Sequence, residues 1–129
     1  MPHLTLEYSN NLPEPVDFHA LFRRLNAALP EMGPFALGDM KSRAVGYDQF
    51  LIGDGTPGRV FVHLTVGILS GRDSALLKRI GARMLGILRE TFASAWAERK
   101  CAITVEIHEI RRETYTKETN EKGPVTPSS

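Results

Sequence analysis

Hydrophobic patterns along this chain follow the order strand, helix, strand, and this order occurs twice. In the first half, residues 3–8 alternate as a strand with one buried face does, and residues 41–47 predict a second strand. A helix is predicted between them, capped by Asp17 and ended by the segment from Pro30 to Pro34. Its apolar positions are Phe18, Leu21, Phe22, Leu25, Ala28 and Leu29.

The second half repeats the order after a turn signal at residues 54–58. Residues 60–68 alternate again, and so do residues 102–110. One long helix is predicted between them, with Asp73 or Ser74 as its cap. Its apolar stripe consists of Leu77, Ile80, Met84, Ile87, Leu88, Thr91, Phe92 and Ala95.

The repeated order predicts an α+β fold, in which two tandem βαβ units form one four-stranded sheet with two helices on one face. We place the units at residues 1–47 and 60–110, joined by a turn region at 48–59, and expect them to form a single domain over 1–110. The polar residues 111–129 are expected to form a C-terminal tail, loosest over 123–129.

Composition excludes several classes of protein. Sixteen Lys and Arg against fifteen Asp and Glu leave a formal net charge of +1, which gives no electrostatic basis for binding nucleic acid. No apolar run approaches the roughly 20 residues that span a bilayer, and the polar opening does not resemble a signal peptide. The single cysteine, Cys101, cannot form an intrachain disulfide and fits a reducing compartment. We expect a small cytoplasmic protein without membrane or nucleic-acid partners.

The sheet face that points away from the helices is expected to be only partly polar. By alternation it carries His3, Thr5, Glu7, Phe61, His63, Thr65, Thr104, Glu106 and His108. A two-layer domain can leave such a face in water, but Phe61 and three histidines are unusual on a solvated sheet. We therefore expect other subunits to cover this face.

Several common kinds of site find no support in the motifs. The glycine-containing turn at 53–58 is not followed by the Lys-Ser/Thr of a phosphate loop. The four histidines show no paired metal-ligand spacing, and one cysteine cannot build a structural zinc site, so we predict no metal. Cys101 is expected to be a packed thiol rather than a nucleophile.

The remaining candidate is Met1-Pro2 at the head of the first strand. Processing usually removes an initiator Met before a residue as small as Pro, which leaves Pro2 with a free secondary amine. An α-amino group titrates at about 8 in model peptides, and burial or nearby cations lower its pKa further. Such an amine is a rigid general base. Otherwise Pro2 simply starts the strand, where its missing N–H is not needed, and the pattern alone leaves both interpretations open.

Four segments together resemble a known family. They are Pro2-His3-Leu4-Thr5-Leu6-Glu7-Tyr8-Ser9, Met40-Lys41-Ser42-Arg43, Phe61-Val62-His63-Leu64-Thr65 and Ser70-Gly71-Arg72. In this order they resemble the 5-carboxymethyl-2-hydroxymuconate Δ-isomerase family of the tautomerase superfamily, from Pro2 to about Glu109. The resemblance implies a homotrimer whose three sheets enclose a barrel, which would cover the partly polar sheet face.

The resemblance also implies a reaction. Pro2 would be the catalytic base, moving a proton from the enol hydroxyl of a dienol with three carboxylates to a carbon of its conjugated chain. This substrate is an intermediate of 4-hydroxyphenylacetate (homoprotocatechuate) breakdown. The reaction needs one base that returns its proton and cations that stabilise the dienolate, but no metal or cofactor.

The remaining site residues are carried over position by position. Arg72 matches the arginine that follows Gly in the family and would be the second catalytic residue, able to hold a carboxylate bidentately. Arg43 matches the second basic residue of an Arg-Ser-Arg segment whose first position is Lys41 here, which keeps the charge but loses the fork. Tyr47 and Phe50 are candidates for the pocket wall, or alternatively for core or interface packing.

These inferences predict an isomerase that converts 5-carboxymethyl-2-hydroxymuconate to its conjugated ketone. Two alternatives stay open. One is a tautomerase of the same fold that acts on another 2-hydroxydienoate or enol. The other is a non-catalytic trimeric protein that binds small organic anions.

Overall fold

In the computed structural model, which describes residues 1–121, four strands form one sheet. The strands are β1 (His3–Ser9), β2 (Lys41–Tyr47), β3 (Arg59–Leu69) and β4 (Lys100–Ile110). The helices are α1 (Phe18–Met32), α2 (Ser74–Thr91) and α3 (Ala93–Glu98), with single 3₁₀ turns at Leu37–Asp39 and Arg112–Thr114. The segment 123–129, for which the sequence predicts a loose tail, lies outside the described residues.

The sheet has the order β2-β1-β3-β4 and confirms the predicted architecture. β1 is parallel to β2, β3 is parallel to β4, and the two pairs meet where β1 runs antiparallel to β3. His3 is therefore paired with Lys41 on one side and with Gly67 on the other. As a result β1 and β2 begin at the end of the sheet where β3 and β4 finish. We call this the Pro2 end.

One face of the sheet is covered by both main helices, as predicted. Alternate residues of the two central strands, such as Leu4 and Leu64, are no more than 1% exposed, and they pack in one cluster with α1 and α2. Leu25 of α1 and Met84 of α2 are fully buried there. Each such side chain contributes about 1.5–3 kcal/mol by leaving water. The opposite face carries half-buried or exposed side chains, including Glu106.

The first helix ends within the predicted segment from Pro30 to Pro34, although Pro30 itself lies inside the helix. Pro30 occupies the last turn, where only the final intrahelical bonds remain, so the missing N–H removes one bond without stopping the helix. The helix ends instead at Gly33, whose N–H donates to the Leu29 carbonyl at 3.2 Å. The predicted cap is confirmed: the Asp17 carboxylate accepts from the Ala20 N–H at 3.1 Å.

The second predicted helix is interrupted at Phe92, which separates α2 from α3. The hydrophobic stripe gives no sign of this break, because Phe92 and Ala95 are both 2% exposed and continue to face the core. Of the two predicted caps, Asp73 is the one used, and its carboxylate accepts from the Leu76 N–H at 2.8 Å. This cap fixes the start of α2 at Ser74, two residues after Arg72.

Candidate active site

The amino terminus is enclosed at the Pro2 end of the sheet. Met1 is 1% exposed and Pro2 is also buried. The Pro2 carbonyl accepts a hydrogen bond from the Lys41 N–H at 3.2 Å, which extends the pairing of β1 with β2 by one residue. The α-amino group of Met1 donates to the carbonyl oxygen of Asp39 at 3.1 Å. The chain therefore holds its terminal amine in a defined place rather than leaving it in solvent.

Two lysines lie close to this amine, and both contact Asp39. Lys41 Nζ donates to the same Asp39 carbonyl at 3.2 Å, and Lys117 Nζ is 3.5 Å from the Asp39 carboxylate. Burial, followed by the charges of Lys117 and Lys41, lowers the pKa of the Met1 amine from 8.0 to about 6, against a smaller opposing effect of Asp39. An amine with this pKa is mostly an uncharged base at neutral pH.

Arg43 and His3 form a second polar group on the uncovered sheet face. Arg43 Nη1 lies 3.0 Å from Nδ1 of His3, and Nε2 of His3 lies 3.0 Å from the hydroxyl of Tyr115. Burial lowers the pKa of His3, and the charges of Arg43, the amino terminus and Lys41 lower it further. These contacts fix the guanidinium of Arg43. Arg43 lies two residues after Lys41 on β2, on the same face of the sheet, and pairs with Thr5 of β1.

Arg72 follows β3 and lies at the same end of the sheet. Gly71 adopts φ +113°, a conformation that favours glycine, and so lets the chain turn sharply from strand into cap. Arg72 Nη1 donates to the Leu69 carbonyl at 2.9 Å, and its Cζ lies 4.6 Å from the centre of the Phe35 ring. Burial and, secondly, the charge of Arg112 lower the pKa of Arg72. Cation–π contact and the carbonyl bond together restrict the orientation of this guanidinium.

Tyr47 and Phe50 are not brought to the Pro2 end within one chain. Tyr47 finishes β2, six residues or about 20 Å along the strand from Lys41. Its hydroxyl donates to the Glu7 carboxylate at 2.6 Å, and Phe50 makes an edge contact with Phe61 at 6.2 Å. These two aromatic residues form a separate cluster at the opposite end of the sheet.

Sequence reasoning missed three residues of the Pro2 end: Asp39, Tyr115 and Lys117. Asp39 belongs to a single 3₁₀ turn that hydrophobic periodicity does not mark. Tyr115 and Lys117 lie in the segment that was predicted only as a polar tail, and their contacts with His3 and Asp39 span most of the chain length. The one available signal was an isolated aromatic residue in an otherwise polar segment.

Other kinds of site find no support in the described residues. Within residues 1–121, no group of three or more His, Cys, Asp or Glu side chains is arranged to hold a metal ion. None of the helices in this part of the chain has both the length and the apolar character needed to cross a membrane. Cys101 is half-buried against the core, and burial raises the pKa of its thiol, which makes it a poorer nucleophile.

Two tandem βαβ units that share one four-stranded sheet, with both main helices on one face, define the tautomerase fold. The structure titled "Q0 fused 4-OT wild type symmetric trimer" has this fold, with a TM-score of 0.70, 16% identity and 92% of each chain covered. The chain belongs to the 5-carboxymethyl-2-hydroxymuconate isomerase family, whose model matches residues 2–123. It is therefore an isomerase, as the sequence predicts.

Individual relatives agree with this assignment over nearly the whole chain. The 5-carboxymethyl-2-hydroxymuconate Delta-isomerase of Escherichia coli is 30% identical over 120 residues, which is 93% of this chain and 95% of the relative. The crystal structure of a 5-carboxymethyl-2-hydroxymuconate isomerase from Deinococcus radiodurans R1 is 34% identical, with a TM-score of 0.83 and coverage of 92% and 90%.

Proposed function

We propose that this protein, after loss of Met1, converts 5-carboxymethyl-2-hydroxymuconate to its conjugated ketone in the breakdown of 4-hydroxyphenylacetate. The observation that carries the proposal is the environment of the amino terminus. There burial, Lys117 and Lys41 lower the pKa of the Met1 amine to about 6, and we expect the same surroundings to lower the pKa of the Pro2 amine that is left when Met1 is removed. A base in this pKa range accepts a proton at neutral pH and can return it within the same turnover.

The mechanism follows from the arrangement at the Pro2 end. Removal of Met1 leaves the Pro2 nitrogen at the head of β1 and vacates the buried volume of the Met1 side chain. The neutral amine takes the enol hydroxyl proton, and the resulting ammonium delivers that proton to a carbon of the conjugated chain, so no net proton is consumed. Arg72 stabilises the charge of the dienolate, while Arg43 and Lys41 bind carboxylates.

We also propose that the protein is a homotrimer that acts in the cytoplasm on this small dienol. The half-buried and exposed sheet face, with Val45 at 45% exposure, supports the assembly because it offers a surface for other subunits. In the trimer, Tyr47 and Phe50 would reach substrate only across a subunit boundary, since they lie far from Pro2 in their own chain. The single thiol of Cys101 fits the reducing compartment.

Lys41 favours one alternative substrate. Its ammonium donates to the Asp39 carbonyl and presents a point charge, whereas an arginine would present a planar fork for a carboxylate. A 2-hydroxydienoate with fewer carboxylates would lose less by this exchange. Comparison of kcat/KM for dienols with two and three carboxylates distinguishes the two substrates.

Intact mass and ultraviolet-monitored ketonisation test the mechanism together. Native protein should lack Met1 and ketonise the dienol without metal or nucleotide. Pro2→Leu, which retains Met1 because the second residue is large, should lower kcat by about 10²–10⁴-fold through loss of the base. Pro2→Ala keeps a terminal amine but not its rigid ring, and we expect an intermediate loss.

Pro57→Ala, in the turn that precedes β3, is the control for replacing a proline and should retain full kcat. Two results would contradict the role of Pro2 as the base. One is a native protein that retains Met1 and is fully active, and the other is a Pro2→Leu variant that retains Met1 and most of its kcat. A trimer that binds the dienol without any turnover would instead support the non-catalytic alternative.

A further inference from the structure

The chain returns to the Pro2 end after β4. Arg112 Nε donates to the carbonyl of Ser70 at 2.6 Å, which ties the segment to the turn before Arg72. Three residues later, the hydroxyl of Tyr115 lies 3.0 Å from Nε2 of His3, with the two rings in an edge arrangement at 6.1 Å. Tyr115 is partly buried while residues 111–114 and 116–121 are exposed, so it is the residue of this segment that packs against the sheet.

Hydrogen-bond chemistry determines the protonation of His3. The guanidinium of Arg43 carries only donors, and its Nη1 lies 3.0 Å from Nδ1 of His3, so Nδ1 accepts this bond with its lone pair. His3 is therefore neutral and carries its proton on Nε2. That N–H donates to the hydroxyl oxygen of Tyr115. Burial and the charge of Arg43 lower the pKa of His3, which agrees with a neutral ring.

We propose that Tyr115 is a positioning residue of the isomerase site, which orients Arg43 by holding the imidazole of His3 through its Nε2–H. An arginine side chain loses rotamer freedom when it binds a ligand, so a carboxylate-binding fork gains from being held in place before substrate arrives. His3 takes one N–H of Arg43 and leaves the others for a ligand. A hydroxyl can accept from or donate to an imidazole, so Arg43 selects the tautomer, and Tyr115 holds the ring where its Nδ1 meets Arg43.

The first test observes the His3 imidazole directly and requires no activity. Nitrogen-15 NMR of the imidazoles should show His3 of the wild-type protein with its proton on Nε2 at pH 7. Tyr115→Phe removes only the hydroxyl, and in this variant the Nε2 proton should lose its hydrogen-bonded chemical shift and exchange faster with water. Tyr8→Phe is the matched control, since Tyr8 stacks on Phe18 at 4.9 Å on the helix side of the molecule, and it should leave His3 unchanged. Wild-type His3 protonated on Nδ1, or an unchanged Nε2 proton signal in Tyr115→Phe, would overturn the proposal.

The second test is kinetic and rests on the proposed function, because it requires Arg43 to bind a substrate carboxylate. Tyr115→Phe should raise KM by about 2- to 10-fold, the range expected for one lost hydrogen bond, and change kcat by less than about 2-fold. In an Arg43→Ala background the same substitution should have no further effect on KM, since its route to the substrate is gone.

An unchanged KM in Tyr115→Phe, or an equal rise in both Arg43 backgrounds, would reject the positioning role. A general structural role would lower thermal stability and the amount of active enzyme, but it would not produce a KM effect that depends on Arg43. Absence of turnover in the wild-type protein would count against the proposed function alone, because the imidazole NMR measurement still decides whether Tyr115 holds His3.

Discussion

The pKa of the terminal amine depends on a few identifiable groups at the residue scale. After burial, the largest contribution comes from Lys117, whose Nζ lies 3.5 Å from the Asp39 carboxylate. A cation near an amine disfavours its protonated form, so Lys117 lowers the pKa and enlarges the fraction of free base at neutral pH. Lys117 lies in the segment after β4, and this segment therefore contributes charge as well as Tyr115 to the Pro2 end.

Lys117→Met should raise the pKa of the terminal amine and move the acid limb of the pH profile of kcat/KM to higher pH. In the proposed mechanism the free base is the active form, so activity falls as pH decreases through the pKa, and a higher pKa makes that fall begin at higher pH. At pH 6 the variant should be less active than the wild-type protein, and at pH 9 the two should be equal. The measurement is kcat/KM for dienol ketonisation between pH 5 and 9.

Lys100→Met removes the same charge at the start of β4, at the opposite end of the sheet, and should leave the acid limb in place. An equal shift in both variants would mean that net charge, rather than the position of Lys117, controls the amine.

At the scale of elements, local patterns predicted most of the fold. Alternation located β1, β3 and β4 to within two residues, because alternate side chains of each strand pack toward the helices. The second strand was also placed correctly at Lys41–Tyr47, although its polar residues give a weaker pattern. Asp17 and Asp73 were predictable as caps because an aspartate directly before an apolar helical stripe commonly accepts a hydrogen bond from a backbone N–H of the first helical turn. The end of α1 falls in the predicted segment from Pro30 to Pro34, with Pro30 tolerated in the last turn. The continuous second helix was wrong, because Phe92 and Ala95 both pack against the core and the hydrophobic stripe does not mark the break.

Prediction of the candidate site was less complete, for a different physical reason. Pro2, Lys41, Arg43 and Arg72 were identified because they lie in segments that resemble a family, and the strand register places all four at one end of the sheet. The contact of Tyr115 with His3 joins residues 112 positions apart and follows no period. Contacts of this kind depend on where the chain returns after its last strand, which side-chain patterns do not encode.

The glycines of α2 allow a prediction about stability. A Cβ built at Gly86 has no described atom within 4 Å, and Gly86 is exposed, so the helix gains from a side chain that meets no obstacle. Gly86→Ala should raise the free energy of unfolding by about 1 kcal/mol, measured by urea denaturation. Gly46→Ala is the contrasting variant and should be destabilising, because its methyl would collide with Asn10 and with the Tyr8 ring at 2.7 Å. A Gly86→Ala variant that unfolds at lower urea would contradict the open space beside Gly86.

At the scale of the whole molecule, the positions of the charged residues matter more than their sum. The formal net charge is only +1, yet Lys41, Arg43, Arg72 and Lys117 all lie at the Pro2 end. One helix-covered face provides the core, and the other face exposes apolar side chains such as Val45 beside Glu7. A single chain thus presents a cationic end and a partly apolar sheet face, on which the proposed anion binding and the proposed trimer depend.

Val45→Lys should dissociate the proposed trimer without unfolding the subunit. In one subunit the new ammonium lies beside Glu7 on the neighbouring strand, a favourable cross-strand pair, so the fold itself has no reason to weaken. In a trimer that covers this face, the charge would be buried at the interface and would oppose association.

Leu85→Lys is the matched control, because Leu85 is exposed to a similar degree, 39% against 45%, but lies on the outer side of α2. Light scattering after size exclusion should give about three times the chain mass of 14.3 kDa for the wild-type protein and for Leu85→Lys, and a lower mass for Val45→Lys. A monomeric wild-type protein would refute the trimer, and equal masses for the two variants would show that subunits meet through some other surface.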